Sequence, residues 1–256
     1  LFSYLQQILD ESATFGLFII TGSNNFLLQE NISQSLAGRI GYLNLLPLSI
    51  DEIDNVSLTP DTLMFNGGYP IIYNQQIEVS KWYSNYIRTY VERDVRLLKN
   101  ISNLNTFEKF LRLCAGRIGQ LLNMSNLAIE TGVDVKTISA WISVLETSFL
   151  VFKLQPYHEN HNKRVVKMPK LYFYDTGLAM ALLGFENENH LSLHPYRGQM
   201  FENMVILEFL KKRFNKGKSN NLYFWRDNVG NEVDLIVADG STITPVEIKS
   251  GQTITN

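Results

Sequence analysis

Two apolar, β-branched runs near the C-terminus, separated by a short turn, constrain the fold of this chain most. The first run holds Asp234 and ends at Val237, the turn is residues 238–241, and the second run leads into Glu247 and Lys249. Runs of this kind on either side of a turn predict a β-hairpin that carries acids on its strands. Side chains two apart on a strand share a face, so Glu247 and Lys249 are predicted to lie together. Burying two acids and a lysine on one sheet face is costly unless the group binds something.

A divalent metal ion is one ligand that such a group would suit. Carboxylate oxygens hold magnesium while leaving positions for water and a substrate phosphate. The metal lowers the pKa of its bound water, and a lysine such as Lys249 can stabilise the negative charge that develops. The alternative is that Asp234 is a solvated surface acid and that Glu247 simply pairs with Lys249 or Arg226.

A third acid precedes the hairpin on a predicted helix. The helix is predicted over residues 196–214 from the helical spacing of its apolar positions, which include Phe201, Val205 and Phe209. Glu202 lies beside them and is a further candidate ligand.

This order of a helical acid, a strand aspartate and a strand Glu-x-Lys resembles the core of the PD-(D/E)XK nuclease superfamily. The resemblance implies that Asp234, Glu247 and Glu202 bind magnesium or manganese, and that these three residues and Lys249 are catalytic in phosphodiester hydrolysis. A competing, non-enzymatic hypothesis keeps the nuclease-like fold but assigns it to docking. Convergence of the three carboxylates within about 4–6 Å of a common point would favour metal chemistry.

Length and composition permit this organisation and exclude other classes. The 256 residues, 45% of them apolar, are enough for one large domain or two to three small ones. No apolar run approaches the roughly 20 residues of a membrane span, and no secretory segment opens the chain. The single Cys114 cannot form an internal disulfide. We predict a soluble, cytoplasmic protein with no membrane partner, and expect the chain to be a fragment of a longer protein because it starts at Leu1.

The N-terminal segment predicts an α/β arrangement. Residues 15–20 form an apolar run followed by small polar residues, which is typical of a buried parallel strand that meets a ligand-facing loop. A helix over residues 32–37 and a strand over residues 41–46 follow. Ser49 and Glu52 then predict a capping box that opens another helix. Such alternation is typical of α/β domains.

The same segment resembles the latter half of an AAA+ ATPase domain from a bacterial and archaeal family, in which a domain of unknown function follows the ATPase. The resemblance lies in Ile-Ile-Thr-Gly-Ser-Asn-Asn (19–25), Ser-Leu-Ala-Gly-Arg (35–39) and Leu-Pro-Leu-Ser (46–49). It implies that Ser23 or Asn24 occupies the polar sensor position near the ATP γ-phosphate, and that Arg39 acts as an arginine finger or sensor. It also implies oligomerisation through the AAA+ part.

The chain departs from the AAA+ pattern in one respect that matters for activity. It contains no Gly-x-x-x-x-Gly-Lys segment followed by Ser or Thr, which is the loop whose backbone and lysine hold the phosphates. We therefore expect ATP binding only in a full-length protein, and no ATPase activity from this polypeptide alone.

A helix-turn-helix is predicted in the middle of the chain. A short helix from Met124, a turn at Gly132 and a second helix capped by Asp134 have the required spacing. Strands at residues 149–154 and 170–175 follow, and together these elements predict a winged helix.

The predicted winged helix has two alternative uses, DNA binding and protein docking. In the first, Lys136 on the second helix faces the major groove, while Lys163, Arg164 and Lys167 in the wing contact phosphates. The net charge of −2 does not favour nucleic acid, but a local basic stretch is enough to attract a polyanion over about a Debye length. In the second use the same module binds a protein partner.

Together these patterns predict an α/β plus α chain with a partial AAA+ P-loop sheet, a helical linker, a winged helix-turn-helix and a PD-(D/E)XK nuclease-like α/β domain. The predicted regions are residues 1–66 for the C-terminal part of the AAA+ domain, 67–120 for the linker, 121–190 for the winged helix and 191–256 for the nuclease-like domain. Two functions remain open. One is an AAA+ ATP-binding protein coupled to a DNA-associated, magnesium-dependent nuclease-like domain, and the other is a non-catalytic DNA- or protein-docking module switched by the ATPase half.

Overall fold

A five-stranded mixed sheet surrounded by helices forms the centre of the molecule. The computed structural model describes residues 2–12, 14, 16–21, 38, 40–53, 57–90, 103–157, 168–227 and 229–251. The helices are α1 (Phe2–Glu11), α2 (Ile50–Ile53), α3 (Pro60–Asn66), α4 (Pro70–Asn74), α5 (Val79–Tyr90), α6 (Leu104–Ala115), α7 (Met124–Thr131), α8 (Val135–Thr147), α9 (Thr176–Leu182) and α10 (Arg197–Phe214), with a 3-10 turn at Glu188–His190. The strands are β1 (Val151–Pro156), β2 (Lys170–Phe173), β3 (Leu222–Arg226), β4 (Glu232–Asp239) and β5 (Thr242–Val246).

The order of strands in the sheet is β2-β1-β3-β4-β5. β1 pairs antiparallel with β2 and parallel with β3, and β3, β4 and β5 form an antiparallel meander. The strands predicted for the winged helix and those predicted for the nuclease-like domain therefore belong to one sheet. The C-terminal hairpin is confirmed, with Leu235 opposite Val246, but Glu247 and Lys249 lie just beyond β5 rather than within it.

The two strands predicted near the N-terminus are wrong for the residues that the structure describes. Residues 16–21 and 40–46 form no strand, and Ile19 and Leu45 are each 91% exposed. An apolar run becomes a strand only when a neighbouring segment accepts and donates its backbone hydrogen bonds. Among the described residues no segment pairs with either run.

Capping signals identified the helix starts correctly. The Glu52 carboxylate accepts from the Ser49 backbone N–H at 2.8 Å, as the predicted capping box requires. The pair α7 and α8 turns at Gly132, which adopts a left-handed conformation (φ 80°), and Asp134 caps α8 by accepting from the Thr137 N–H. Trp141 of α8 then packs its ring against Phe107 of α6 at 5.2 Å. Among the described residues, no helix has both the length and the apolar character that crossing a bilayer demands.

The buried carboxylate of Asp175 joins three distant segments. It caps α9 by accepting from the Leu178 N–H at 2.8 Å, and it also accepts from the Gly68 N–H and the Tyr83 hydroxyl, each at 2.7 Å. Burial raises the pKa of this carboxyl above its ordinary range, although the hydrogen bonds oppose the shift. Gly67 packs so close that an added Cβ would clash with the Tyr83 hydroxyl and the Asp175 carboxylate.

Substituting Gly67→Ala is expected to destabilise the protein far more than Gly132→Ala. Gly132 is left-handed but has open space around it, so its substitution has only the conformational cost of about 1–2 kcal/mol. Gly67 has φ 66° and ψ −156°, a region almost restricted to glycine, and its Cβ would add an overpacking cost of about 1–3 kcal/mol. Urea unfolding of both variants measures the difference. Equal losses of unfolding free energy would contradict the proposed close packing at Asp175.

Asp175 is also expected to make stability depend on pH. Because burial raises the folded-state pKa above the ordinary value of 3.8, the stability contributed by the protonated acid is present at low pH and is lost as pH rises through the folded-state pKa. Between the two pKa values the loss is up to about 1.4 kcal/mol per pH unit. The unfolding free energy of wild type minus that of Asp175→Asn should therefore fall as pH is raised above 3.8. A difference that rises with pH would show that the hydrogen bonds outweigh burial.

Candidate functional site

Charged side chains from three elements meet on one face of the sheet beneath α10. β2 contributes Lys170 and Tyr172, β4 contributes Glu232 and Asp234, and α10 contributes Glu202. In each strand the two residues are two apart and so share a face. We call these five residues the lysine–carboxylate cluster.

A buried asparagine fixes the position of α10 on the sheet. The Asn203 side chain accepts from the Phe173 N–H at 2.7 Å and donates to the Phe173 carbonyl at 2.9 Å. β2 is an edge strand, and the amide satisfies backbone groups that a further strand would otherwise pair. Glu202 precedes Asn203 and is thereby brought to Lys170.

The Lys170 ammonium lies between two carboxylates. It donates to Glu202 Oε1 at 3.1 Å and contacts Glu232 Oε1 still more closely, and its side chain is only 3% exposed. Glu202 Oε1 also accepts from the Tyr172 hydroxyl. The second oxygen of Glu232 lies 3.4 Å from Arg226. Lys170 therefore engages both acids, and Arg226 of the neighbouring strand β3 also engages Glu232.

The environment keeps Lys170 charged and Tyr172 protonated. Burial by itself lowers the pKa of Lys170, but the carboxylates of Glu202 and Glu232 outweigh it and hold that pKa above its ordinary value. Burial raises the pKa of Tyr172, and the negative charge of Glu202 raises it further. Burial also raises the pKa of Glu202, against the opposing effect of the Lys170 charge.

Asp234 belongs to this cluster, and the predicted catalytic residues Glu247 and Lys249 lie beside it. Asp234 Oδ2 accepts from the Ile248 N–H at 2.8 Å, which holds the segment after β5 against β4. Lys249 pairs with Glu247, and both side chains are more than half exposed. Asp234 is close enough to Glu202 for its charge to raise the pKa of Glu202. The four predicted residues therefore share one neighbourhood.

The carboxylates do not fit a shared magnesium or manganese ion in this arrangement. Among the described residues, no group of three or more His, Cys, Asp or Glu side chains is positioned to hold a metal. Glu202 is bonded to Lys170 and Tyr172, and Glu247 is bonded to Lys249. The assignment of Glu202, Asp234 and Glu247 to one metal ion stays a prediction.

Seven further residues were predicted as site residues. Ser23, Asn24, Arg39, Lys163, Arg164 and Lys167 lie outside the described residues. Lys136 lies in the first turn of α8 and is exposed. Sequence reasoning missed Lys170, Tyr172 and Glu232, although the two-residue spacing within each strand was a usable signal for a shared face.

A second contact site joins the N-terminal part to the opposite side of α10. Lys211 Nζ donates to the Leu48 carbonyl at 2.7 Å, and Glu208 accepts from the Ile50 N–H at 2.9 Å. Lys211 and Glu208 are themselves paired at 2.9 Å, and the Lys211 side chain is 6% exposed. We call this contact of Leu48 and Ile50 with Glu208 and Lys211 the α10 dock. Because the acceptor and donor on the N-terminal side are backbone atoms, the dock depends on the path of the chain there.

The start of α10 is held by a further ion pair. Arg197 contacts Asp61 of α3 at 2.9 Å, and it also donates to the Ser250 carbonyl at 2.7 Å. The start of α10 is thus held to α3 and to the segment after β5. Its second half is held to Leu48 and Ile50 by the α10 dock.

Comparison with known proteins divides the chain into three regions. An AAA domain model matches residues 1–54, a domain of unknown function (DUF8612) matches residues 59–189, and another (DUF4143) matches residues 197–256. The first match identifies an AAA-type ATPase region at the N-terminus. The α10 dock therefore connects the AAA match to the DUF4143 match.

The curated relatives are uncharacterized proteins from bacteria and an archaeon. The protein Rv2008c of Mycobacterium tuberculosis is 31% identical over 99% of this chain and 56% of its own length. MJ1544 of Methanocaldococcus jannaschii is 27% identical over 87% of this chain and 53% of its own length. A Haemophilus influenzae protein is 24% identical over 77% of this chain and 52% of its own length.

The chain spans about half the length of the curated relatives it matches. No solved structure shows significant similarity to it. The DUF8612 match over residues 59–189 covers half of the 256 residues, and the chain therefore belongs to the DUF8612 family, with an AAA-type ATPase match before this domain and a DUF4143 match after it.

Proposed function

We propose that this chain transmits the nucleotide state of an AAA-type ATPase domain to a docking module that does not itself cleave a substrate. The α10 dock is the observation that carries the proposal, because it connects the AAA-matched residues directly to the helix that bears Glu202. ATP binding belongs to a full-length protein with a phosphate-binding loop, where Ser23, Asn24 and Arg39 are the proposed nucleotide-sensing residues.

The dock is suited to transmitting a displacement. Glu208 and Lys211 bond to backbone atoms of Leu48 and Ile50, with Lys211 buried at the contact, so the N-terminal segment cannot move without breaking the dock or moving α10. Glu202 lies six residues before Glu208, a distance of about 9 Å along a continuous helix. A shift at the dock therefore reaches the lysine–carboxylate cluster through one rigid element.

The helix-turn-helix is the proposed docking surface. Ile129 of α7 is 79% exposed, Val135 of α8 is 44% exposed, and the exposed Lys136 follows Val135 in the first turn of α8. An apolar surface with a single lysine favours a protein partner over a phosphate backbone, which is bound by several cations. DNA association remains the alternative outcome of a binding test.

Replacing Lys211 by Met is expected to uncouple the nucleotide state from α10. In the gene product that carries a complete ATPase domain, a non-hydrolysable ATP analogue should change the hydrogen-exchange protection of residues 197–214. Lys211→Met should abolish that change, because the Leu48 carbonyl and Glu208 lose their buried partner. Lys212→Met is the matched control, since Lys212 is adjacent and exposed. An equal effect of both substitutions, or no nucleotide effect in wild type, would refute the proposal.

A second candidate function is metal-dependent phosphodiester hydrolysis by a nuclease-like unit. The observation that favours it is the order α10, β3, β4, β5, with Asp234 bonded to the Ile248 N–H beside Glu247 and Lys249. A metal held there by Asp234 and Glu247 would supply an activated water. The arrangement of Glu202 opposes this function, because Lys170 and Tyr172 already engage that carboxylate.

Incubation with DNA distinguishes the two functions. Wild type, Asp234→Ala and Lys249→Ala would each be mixed with supercoiled and linear DNA in the presence of manganese, on the gene product with its complete ATPase domain and with ATP. We expect the nicking rate of all three to equal the background without protein, because no three of the described carboxylates are positioned to bind one metal ion and Glu202 is already bonded to Lys170 and Tyr172. Nicking by wild type that both substitutions abolish would establish the hydrolase and overturn the docking proposal.

A further inference from the structure

We infer that Lys170 is the resident cation of the lysine–carboxylate cluster, and that it occupies the place between Glu202 and Glu232 that a divalent metal would otherwise take. Glu202 is then a counter-ion of a lysine rather than a metal ligand. This inference concerns the cluster alone and does not depend on the α10 dock.

The geometry around the ammonium is that of a cation site. Oxygens of Glu202 and Glu232, from a helix and a strand, converge on Lys170 Nζ, at 3.1 Å for the first and closer for the second. The Phe224 ring lies with its centroid 5.5 Å from the same nitrogen. The Lys170 side chain is only 3% exposed, so its ammonium, and not solvent, fills the point on which these two oxygens converge. Magnesium would moreover need about six oxygen ligands near 2.1 Å.

The surrounding charges are balanced by protein groups. Arg226 lies 3.4 Å from the second oxygen of Glu232, and the Tyr172 hydroxyl donates to Glu202. Each carboxylate therefore has a charged or hydrogen-bonding partner besides Lys170. Removing Lys170 alone would leave two partly buried acids facing each other, and an unpaired buried charge is strongly destabilising.

The cluster is assembled from two regions of the chain. Lys170 and Tyr172 belong to the DUF8612 match, whereas Glu202 and Glu232 belong to the DUF4143 match. The cation thus comes from one region and its carboxylates from the other. The cluster is complete because both regions contribute strands to one sheet, and the C-terminal region alone would lack the lysine.

Manganese binding to this chain tests the inference directly. Electron paramagnetic resonance of free Mn²⁺ should detect no uptake by wild type up to about 1 mM, whereas Lys170→Met should bind at least about tenfold more tightly, since two carboxylates then lack their cation. Mn²⁺ should also raise the thermal midpoint of Lys170→Met but not that of wild type. Adding Glu202→Gln to Lys170→Met should remove both gains.

Lys249→Met is the matched control, because Lys249 pairs with Glu247 in the same neighbourhood but is exposed. It should gain no manganese affinity. A folded Lys170→Met protein without any gain would overturn the inference. If that variant does not fold, wild type is compared with Glu202→Gln. Manganese uptake by wild type that Glu202→Gln abolishes would overturn the inference, and absence of uptake by wild type would support it. If the proposed coupling through the α10 dock is wrong, the hydrogen-exchange experiment shows it and manganese binding is unaffected. The failure of one proposal can therefore be distinguished from the failure of the other.

Discussion

The hydrogen bonds of the buried Asp175 carboxylate are the interaction on which the rest of the structure depends. They tie the start of α9 to Gly68 and Tyr83, and Gly68 in turn accepts from the Leu48 N–H through its carbonyl at 2.7 Å. The chain on either side of Leu48 is thereby held where Lys211 reaches it. Without this carboxylate the N-terminal segment would lose the anchor that aligns it with α10.

Asp175 and Lys170 represent two different solutions to a buried charge. Asp175 is surrounded by neutral donors, so desolvation dominates and raises its pKa. Lys170 is surrounded by carboxylates, so attraction outweighs desolvation and its charge is retained. The first arrangement positions backbone, since each donor is an N–H or hydroxyl at a fixed place. The second joins two regions by charge, and it fails if either partner is lost.

Sequence patterns predicted what local backbone chemistry determines. Ser49 and Asp134 were identified as helix caps because a short polar side chain satisfies N–H groups only a few residues away. The C-terminal hairpin followed from alternation around a turn. The helix over 196–214 was also found, yet its predicted apolar positions Phe201 and Phe209 are only partly buried. Helix α10 is packed on more than one side, and for such a helix the spacing of apolar residues does not single out a face.

The site residues that sequence patterns missed are defined by contacts between remote segments of the chain. Helix α10 shows why such contacts are not visible in the sequence. Lys211 lies nine residues after Glu202, which at about 100° per residue places the two side chains on opposite faces of the helix. One face meets Lys170 on the sheet and the other meets Leu48. No spacing within residues 197–214 reveals which partners each face will find. A helix held between two polar contacts cannot shift toward one without changing the other, and this mechanical constraint is the physical basis of the coupling that we propose between the AAA-matched segment and the lysine–carboxylate cluster.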